Sequence, residues 1–227
     1  MSVMQSTRRQ LVLALGSAAA ASAASIGLPA LAASNRSVLP SMTDGPFYPP
    51  RAWRAGGGAG HLDWDADLTR VQRGAQVQVA AGEHLGLALD VVDAKGRIVD
   101  GAEVEIWQCD ALRAYHHPGV RMPAGQIDAG FQGFGAALSD SRGAAIFRTI
   151  KPVPYPGRTP HIHVKVRHTT FGDWTSQLFV ADDPGNARDF LWRQVDTAGQ
   201  AALSLLLQPS SDAGLKWRAR HLLVVPA

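Results

Sequence analysis

The sequence has little cysteine and little charge, and each shortage excludes a class of protein. The single cysteine, Cys109, rules out an internal disulfide framework and any metal cluster built from cysteines alone. Charged residues make up only 18% of the 227 residues, and the formal net charge is +3. Two of the positive charges are Arg8 and Arg9, and no basic run follows them, so we expect no nucleic-acid partner.

The remaining composition favours a folded, loop-rich β protein. Hydrophobic side chains make up 46% of the chain, which is too many for an intrinsically disordered protein. The 23 glycines and 14 prolines suit a β protein better than a helical bundle, because so many prolines would interrupt helices.

The N-terminal residues have the pattern of an export signal. Arg8 and Arg9 precede an uncharged, Ala- and Gly-rich run, and Ala30-Leu31-Ala32 supplies a cleavage triplet of the A-x-A kind. We therefore predict a cleavable twin-arginine-type signal peptide over residues 1–32 and a mature domain over residues 33–227. The protein would be exported to the periplasm or the extracellular space, with no stable membrane span after processing. A retained Ala-rich membrane anchor is the alternative, although the run is weakly apolar for one.

The mature chain predicts an all-β fold, a single β-sandwich domain with long loops and an irregular N-terminal arm. Leucines and a valine alternate with other residues over 85–91, and Val104 and Ile106 follow with the same spacing, which is the period of a half-buried strand. Further strands are expected at Ala144–Thr149, His161–Val166, Ser176–Val180 and Leu222–Val225. Only two segments favour helix, Asn186–Gln194 and Ala198–Leu207.

Residues 34–80 are expected to form the irregular arm, because prolines and a Gly56-Gly57-Gly58 run forbid long regular elements. We predict that the arm lies over the domain and is not a free linker, since it contains large apolar side chains that need burial. These are Phe47, Tyr48, Trp53, Leu62 and Trp64.

A His-x-His pair carries the clearest chemical signal. Residues i and i+2 of a strand point to the same face, so His161 and His163 would present two imidazoles side by side, as a seat for iron, zinc or copper. A pair of partly exposed strand histidines is the alternative. Tyr155, one of only three tyrosines, lies six residues before His161 across a Pro-Gly turn. A zinc hydrolase would need another ligand, and the spacing selects none of the remaining histidines, His116, His117, His168 and His221.

Four blocks of sequence, in order, resemble the intradiol ring-cleaving catechol dioxygenases. The segment from Thr149 to His163 resembles the signature of that family almost residue for residue. Thr43-Asp44-Gly45-Pro46-Phe47-Tyr48 is similar to its N-terminal block. Gly101 to Asp110 with Tyr115-His116-His117-Pro118, and then Phe131 to Thr149, are similar to the stretches between. The family commonly has alanine where Cys109 stands, and glycine where Arg113 or Ala114 stands.

The resemblance implies a ligand set, a cofactor and a reaction. Fe(III) would be held by Tyr115, Tyr155, His161 and His163. With O₂, the enzyme would cleave a catechol between its two hydroxylated carbons to give a cis,cis-muconate. Tyr155 would be the axial tyrosinate, which the substrate displaces and which then takes a substrate proton.

The resemblance also implies roles for three residues outside that ligand set. Arg158 would stabilise negative charge on the ring, and Gln177 would orient Arg158. Tyr48 would lie near the substrate mouth, with core packing as the alternative. A surface turn arginine and a solvated strand glutamine are the corresponding alternatives for Arg158 and Gln177.

Two other functions compete with this prediction, and two properties stay open. The first is an exported, non-catalytic β-sandwich module that binds aromatics or carbohydrate, because fold does not imply function. The second is a zinc hydrolase. The joint presence of two tyrosines, two histidines and Arg158 favours the enzyme, because neither alternative needs them together. The particular catechol and the oligomeric state, including a homo-oligomer, are left open.

Overall fold

Short strands build almost all of the regular structure. A computed structural model describes residues 36–50, 64–121, 123 and 125–227, all within one compact unit, Ala32–Ala227. Of the described residues, 39% are in strands and 7% are in helices. The strands are β1 (Arg70–Arg73), β2 (Gln76–Val79), β3 (His84–Asp93), β4 (Glu103–Trp107), β5 (Phe134–Leu138), β6 (Ala144–Ile150), β7 (His161–His168), β8 (Gly172–Val180), β9 (Ser204–Leu205), β10 (Gln208–Pro209) and β11 (Trp217–Val225).

The strands form a sandwich of two sheets and a separate hairpin. One sheet has the order β10-β11-β3-β6, the other has the order β5-β4-β7-β8-β9, and β1 pairs with β2. Alternate residues of β3 and of β7 are buried in a single apolar core. This confirms the all-β sandwich, since the alternation that predicted the strands is what buries one face of each sheet.

Three parts of the predicted secondary structure are wrong, and two of them precede residue 197. Residues 34–80 are not irregular throughout, because β1 and β2 form a hairpin with Gly74 at its turn. Nearly all of its residues are exposed, including Val77 and Val79, and each strand has only four residues, so its apolar alternation is too short to predict it. Asn186–Gln194 is not one helix either: two 3₁₀ turns, Asn186–Arg188 and Trp192–Gln194, flank an extended Asp189. The carboxylate of Asp189 accepts bonds from the following amides, which competes with a helix.

The single α-helix of the described residues, α1 (Thr197–Leu203), is shorter than predicted at its C-terminal end. Asp196 caps its N-terminus by accepting a hydrogen bond from the amide of Gly199 at 2.7 Å. Ser204–Leu205 leaves the helix to pair with β8 as β9, so the predicted extension to Leu207 is wrong.

The N-terminal arm lies over the sandwich, as predicted for the part that is described. The amide of Leu39 donates to Val224 of β11, and the amide of Met42 donates to Thr175 of β8. Phe47, Tyr48 and Trp64 are partly buried against a cluster around Trp107. Trp53, Leu62 and the predicted leader over residues 1–32 lie outside the described residues. Within those residues, no helix has both the length and the apolarity needed to cross a membrane.

Candidate metal centre

The outer face of β7 carries the two histidines. Ile162, Val164 and Val166 point into the sandwich core, so His161 and His163 share the opposite face. They are only 2% and 3% exposed, which contradicts the alternative of partly exposed strand histidines. The indole of Trp107 on β4 stacks flat on His163, with ring centroids 4.8 Å apart.

Two tyrosines approach the histidines from loops. Tyr155 begins the turn Tyr155-Pro156-Gly157-Arg158, which is closed by a hydrogen bond from Arg158 N to Tyr155 O. Proline at the second position and glycine with a φ of 83° at the third are typical of a type II turn. Tyr115 comes from the loop after β4, and its hydroxyl lies 3.5 Å from Nε2 of His161. The rings of Tyr115 and Tyr155 meet edge to face, with centroids 5.6 Å apart.

The loop that carries Tyr115 is organised by a buried carboxylate that the sequence analysis missed. Oδ1 of Asp110 accepts hydrogen bonds from the amides of Leu112 and Ala114. Its Oδ2 accepts from the amide of Asp128 and lies 3.1 Å from Nε2 of His116. An Asp that bonds to amides two and four residues on is an Asx-type motif, which was the available signal.

Arg113, in the same loop, has a φ of 70°. Glycine takes this left-handed conformation without strain, so the family's preference for glycine near this position has a backbone reason.

The two histidines direct their Nε2 atoms towards each other. Nδ1 of His161 lies 2.7 Å from the carbonyl oxygen of Thr159 and donates to it, which leaves the Nε2 lone pair free. That Nε2 is 3.3 Å from Nε2 of His163. Burial, and then the charge of Arg158, lower the pKa of His161 to about 4. Burial and the neighbouring His161 also lower the pKa of His163, so both rings are neutral at pH 7.

The donor atoms fit a metal ion that has nitrogen and oxygen ligands. Nε2 of His161 lies 3.3–3.5 Å from Nε2 of His163 and from the hydroxyl of Tyr115. Ligands at about 2.0–2.1 Å from one metal lie roughly 3–3.4 Å apart, so a small adjustment brings these atoms to that separation. Burial raises the pKa of Tyr115 well above its usual value, so its phenolate needs a cation beside it.

The other histidines do not extend the pair. Among the described residues, no three His, Cys, Asp or Glu side chains are grouped to hold a metal. His116 faces Asp110, His168 bonds Thr170, and His221 bonds the carbonyl of Ala202. A centre at His161 and His163 would therefore be completed by the tyrosines, whose hard phenolate oxygens suit a hard cation such as Fe(III).

Arg158 is fixed beside Tyr155 by two buried partners. Its Nη2 donates to Oε1 of Gln177 at 2.5 Å, its Nε donates to Asp189 at 2.8 Å, and its Nη1 lies 3.5 Å from the hydroxyl of Tyr155. Gln177 is fully buried, which contradicts the solvated alternative, and the side chain of Arg158 is 10% exposed. Asp189 was missed, since nothing in the spacing of the sequence connects it to Arg158.

The arm segment from Thr43 to Tyr48 covers the other side of the site. The ring of Phe47 stacks on Tyr115 at 4.6 Å, and Thr43 O accepts a bond from Nε2 of Gln177. The hydroxyl of Tyr48 donates to Glu105 at 2.7 Å and lies in a polar network behind the indole of Trp107. These contacts favour a packing role for Tyr48 over a place at the substrate mouth.

A cavity of about 300 Å³ opens beside Tyr155 and Arg158, with Arg188 and Pro154 among its lining residues.

Cys109 lies nearby as a buried free thiol, and burial raises its pKa to about 12. We expect this thiol to be inert at neutral pH, since the thiolate is the reactive form.

Comparisons with known proteins identify the family and the fold of this chain. Residues 59–220 match the model of the family described as Dioxygenase. The chain is 31% identical over 152 residues to the protocatechuate 3,4-dioxygenase beta chain of Burkholderia cepacia. That alignment covers 63% of this chain and 63% of that relative, so the chain spans less than two thirds of the relative's length. The chain belongs to the intradiol ring-cleavage dioxygenase family.

Two solved structures share the fold. The first is the dioxygenase domain of a dioxygenase–carbohydrate-binding protein fusion from Streptomyces sp. SirexAA-E, at 24% identity and a TM-score of 0.61, covering 84% of this chain and 99% of that one. The second is an intradiol ring-cleavage dioxygenase from Tetranychus urticae, at 19% identity and a TM-score of 0.61, covering 84% of this chain and 95% of that one.

Proposed function

We propose that the protein is a non-haem Fe(III) dioxygenase that cleaves a catechol between its two hydroxylated carbons and gives a cis,cis-muconate-type product. Tyr115, Tyr155, His161 and His163 would hold the ferric ion. The observation that carries the proposal is the buried convergence of two neutral imidazoles and two phenols, beside an arginine fixed at two of its nitrogens. Neither competing function uses all five side chains.

The proposed chemistry divides between the ion and the chain. Fe(III), when bound, withdraws electron density from the catecholate and so prepares the ring for attack on O₂. The half-buried phenol oxygen of Tyr155, beside the cavity, is the group suited to take a proton from a substrate hydroxyl. Nη1 of Arg158 is directed towards the same place, where a permanent positive charge stabilises negative charge that develops on the ring. Gln177 keeps the guanidinium in that orientation.

A catechol, whose two neighbouring hydroxyls can both bind a metal ion, is the proposed substrate. O₂ is the second substrate.

The test is the metal content and visible spectrum of the purified protein, because tyrosinate bound to Fe(III) absorbs strongly in the visible. We expect about one iron per chain, a red colour, and a band that shifts when catechol is added without O₂. The chain has three tyrosines, so Tyr48→Phe is a matched control. Tyr115→Phe and Tyr155→Phe should change the band, and Tyr48→Phe should leave it.

Oxygen uptake and ultraviolet detection of the muconate then report turnover. A colourless protein that holds zinc, or no metal after iron loading, would overturn the proposal. Hydrolysis by the zinc form would then favour the hydrolase, and catechol binding without turnover would favour the binding module.

We also propose that residues 1–32 direct export by the twin-arginine route and are removed after Ala32. The support is the Arg8-Arg9 pair, the uncharged run and the Ala30-Leu31-Ala32 triplet. The double variant Arg8→Lys/Arg9→Lys should leave an uncleaved precursor inside the cell, whereas the control Arg36→Lys should not. An exported protein that keeps its first residues would contradict cleavage.

A further inference from the structure

The carboxylate of Asp189 accepts a hydrogen bond from Nε of Arg158. Oδ2 of Asp189 accepts from Arg158 Nε at 2.8 Å and from the amide of Thr159 at 3.1 Å. Oδ1 accepts from the amides of Leu191 and Trp192 at 3.0 and 3.3 Å. The Asp189 side chain is fully buried, so three backbone amides fix the carboxylate before it contacts the arginine.

The geometry leaves one nitrogen of Arg158 to face the reaction. Asp189 occupies Nε and Gln177 occupies Nη2, whereas Nη1 is directed to the hydroxyl of Tyr155. The guanidinium also lies over the ring of Phe190, 5.4 Å from its centroid. Arginine has a long flexible stem, and two anchors on different nitrogens of its planar guanidinium restrict it to one orientation.

We propose that Asp189 is a positioning residue for ring cleavage, which acts by directing Nη1 of Arg158 towards Tyr155 and the cavity. This inference rests on the proposed function and deepens it. Asp189 also supplies the negative charge that a nearly buried arginine needs, so its removal leaves Arg158 both mobile and less favourably buried.

A double-mutant cycle tests whether Asp189 acts through Arg158. We expect Asp189→Asn to lower kcat for catechol about 30-fold and to leave KM within threefold. Complete removal of one oriented donor lowers kcat about 10²–10³-fold, and Asp189→Asn only loosens Arg158, so its effect should be smaller. In an Arg158→Met background, the same change should alter kcat less than twofold. An equal loss in both backgrounds would show a general structural effect and overturn the inference.

Asp93→Asn is the matched control for stability. Asp93, the last residue of β3, makes a similar pattern of bonds: one carboxylate oxygen accepts from Arg97 Nε at 2.6 Å, and the other accepts from the amides of Lys95 and Arg97. We expect both variants to lower Tm, but only Asp189→Asn to lower kcat. A similar loss of kcat in Asp93→Asn would attribute the effect to reduced stability and overturn the inference.

Crystal structures of the two variants give a readout independent of activity. In Asp189→Asn, the guanidinium of Arg158 should be disordered or rotated away from Tyr155, and in Asp93→Asn it should be unchanged. An unmoved Arg158 would overturn the inference. A wild-type protein that cleaves no catechol would instead overturn the proposed function, whatever the position of Arg158.

Arg158→Lys is a second test of the inference, for use if Asp189→Asn does not fold. An ammonium cannot contact both Asp189 and Gln177 while it reaches Tyr155, so we expect a loss of kcat close to that of Arg158→Met. Activity within threefold of the wild type would show that charge alone is enough and would overturn the inference.

Discussion

Replacement of Asp110 by Asn should destabilise the fold through the loop that carries Tyr115. An asparagine keeps Oδ1 and therefore the bonds from Leu112 and Ala114, but it puts an NH₂ group where Oδ2 stands. That group then faces the amide of Asp128, whose nitrogen lies 2.8 Å from Oδ2, so two donors meet in a buried position. The substitution also removes the negative charge that Asp110 presents to His116 in a buried contact.

The expected loss is about 3 kcal/mol of unfolding free energy. A hydrogen bond to a charged group contributes about 1.5–3 kcal/mol, and a buried donor without a partner costs about 1–3 kcal/mol. The two figures overlap, because they describe partly the same bond. For a domain of this size, 3 kcal/mol corresponds to a fall in Tm of about 6–12 °C.

Thermal unfolding measures the effect, and Asp140→Asn is the control. Oδ1 of Asp140 accepts bonds from the amides of Arg142 and Ala144, which is the same spacing as in the Asp110 loop. Its Oδ2 faces only the exposed guanidinium of Arg142 among the described contacts. We expect Asp140→Asn to shift Tm by a third of the Asp110→Asn effect or less. Equal shifts in both variants would refute the importance of the buried Oδ2 bonds.

The direction of the pKa shift of Asp110 predicts how the stability difference between the wild type and Asp110→Asn depends on pH. Burial raises the pKa of Asp110, but hydrogen bonds from His116 and the amide of Asp128 outweigh it and hold the pKa below its usual value. The stabilisation is therefore complete above about pH 4 and is lost as the pH falls through the lower folded-state pKa. The stability gap between wild type and Asp110→Asn should narrow below about pH 4. A gap that stays constant or widens as the wild type approaches acid unfolding would refute this account.

Three further predictions follow from single positions. Cys109 should react with a thiol reagent at pH 8 far more slowly in the native than in the unfolded protein, since its pKa is about 12; rapid native labelling would contradict this. If the protein binds iron as proposed, Phe47→Leu should speed the loss of that iron to a chelator several-fold, because the stacking on Tyr115 contributes about 0.5–1.5 kcal/mol; an unchanged rate would contradict it. Gly143→Ala should cost at least about 2 kcal/mol, because φ is 80° and the new Cβ lies 2.6 Å from a carbonyl oxygen. Gly172→Ala has a similar φ but open space, so it should lower Tm less, and equal falls would contradict the steric reasoning.

The sequence predicted the sandwich and the histidine face because both depend on a period of two. The alternation over 85–91 decides which side chains of β3 are buried, and the alternation over 161–166 decides which side chains of β7 face the apolar core and which face the site. The β1–β2 hairpin was missed although Val77 and Val79 alternate with glutamines, because each strand has only four residues and both valines are exposed. Asn186–Gln194 has helical composition, but the Asp189 carboxylate captures the amides that a helix would use.

The candidate site depended on a different kind of signal. Tyr115 and Tyr155 were singled out by their resemblance to a family, because no spacing rule connects a loop residue to a strand 46 positions later. Asp110 and Asp189 support Tyr115 and Arg158, and both were missed. Their partners are distant residues and backbone amides, which become neighbours only after the chain has folded.

The central pairing of the smaller sheet is also the most distant in the chain. β3 is joined on one edge by β11, in parallel, so Leu85 lies beside Trp217 and Val91 lies beside Leu223. During synthesis, one edge of β3 therefore has no strand to pair with until β11 leaves the ribosome. Contacts so far apart slow folding and leave that edge open to other chains. Cool, slow expression should raise the soluble yield, and chains truncated before residue 217 should aggregate.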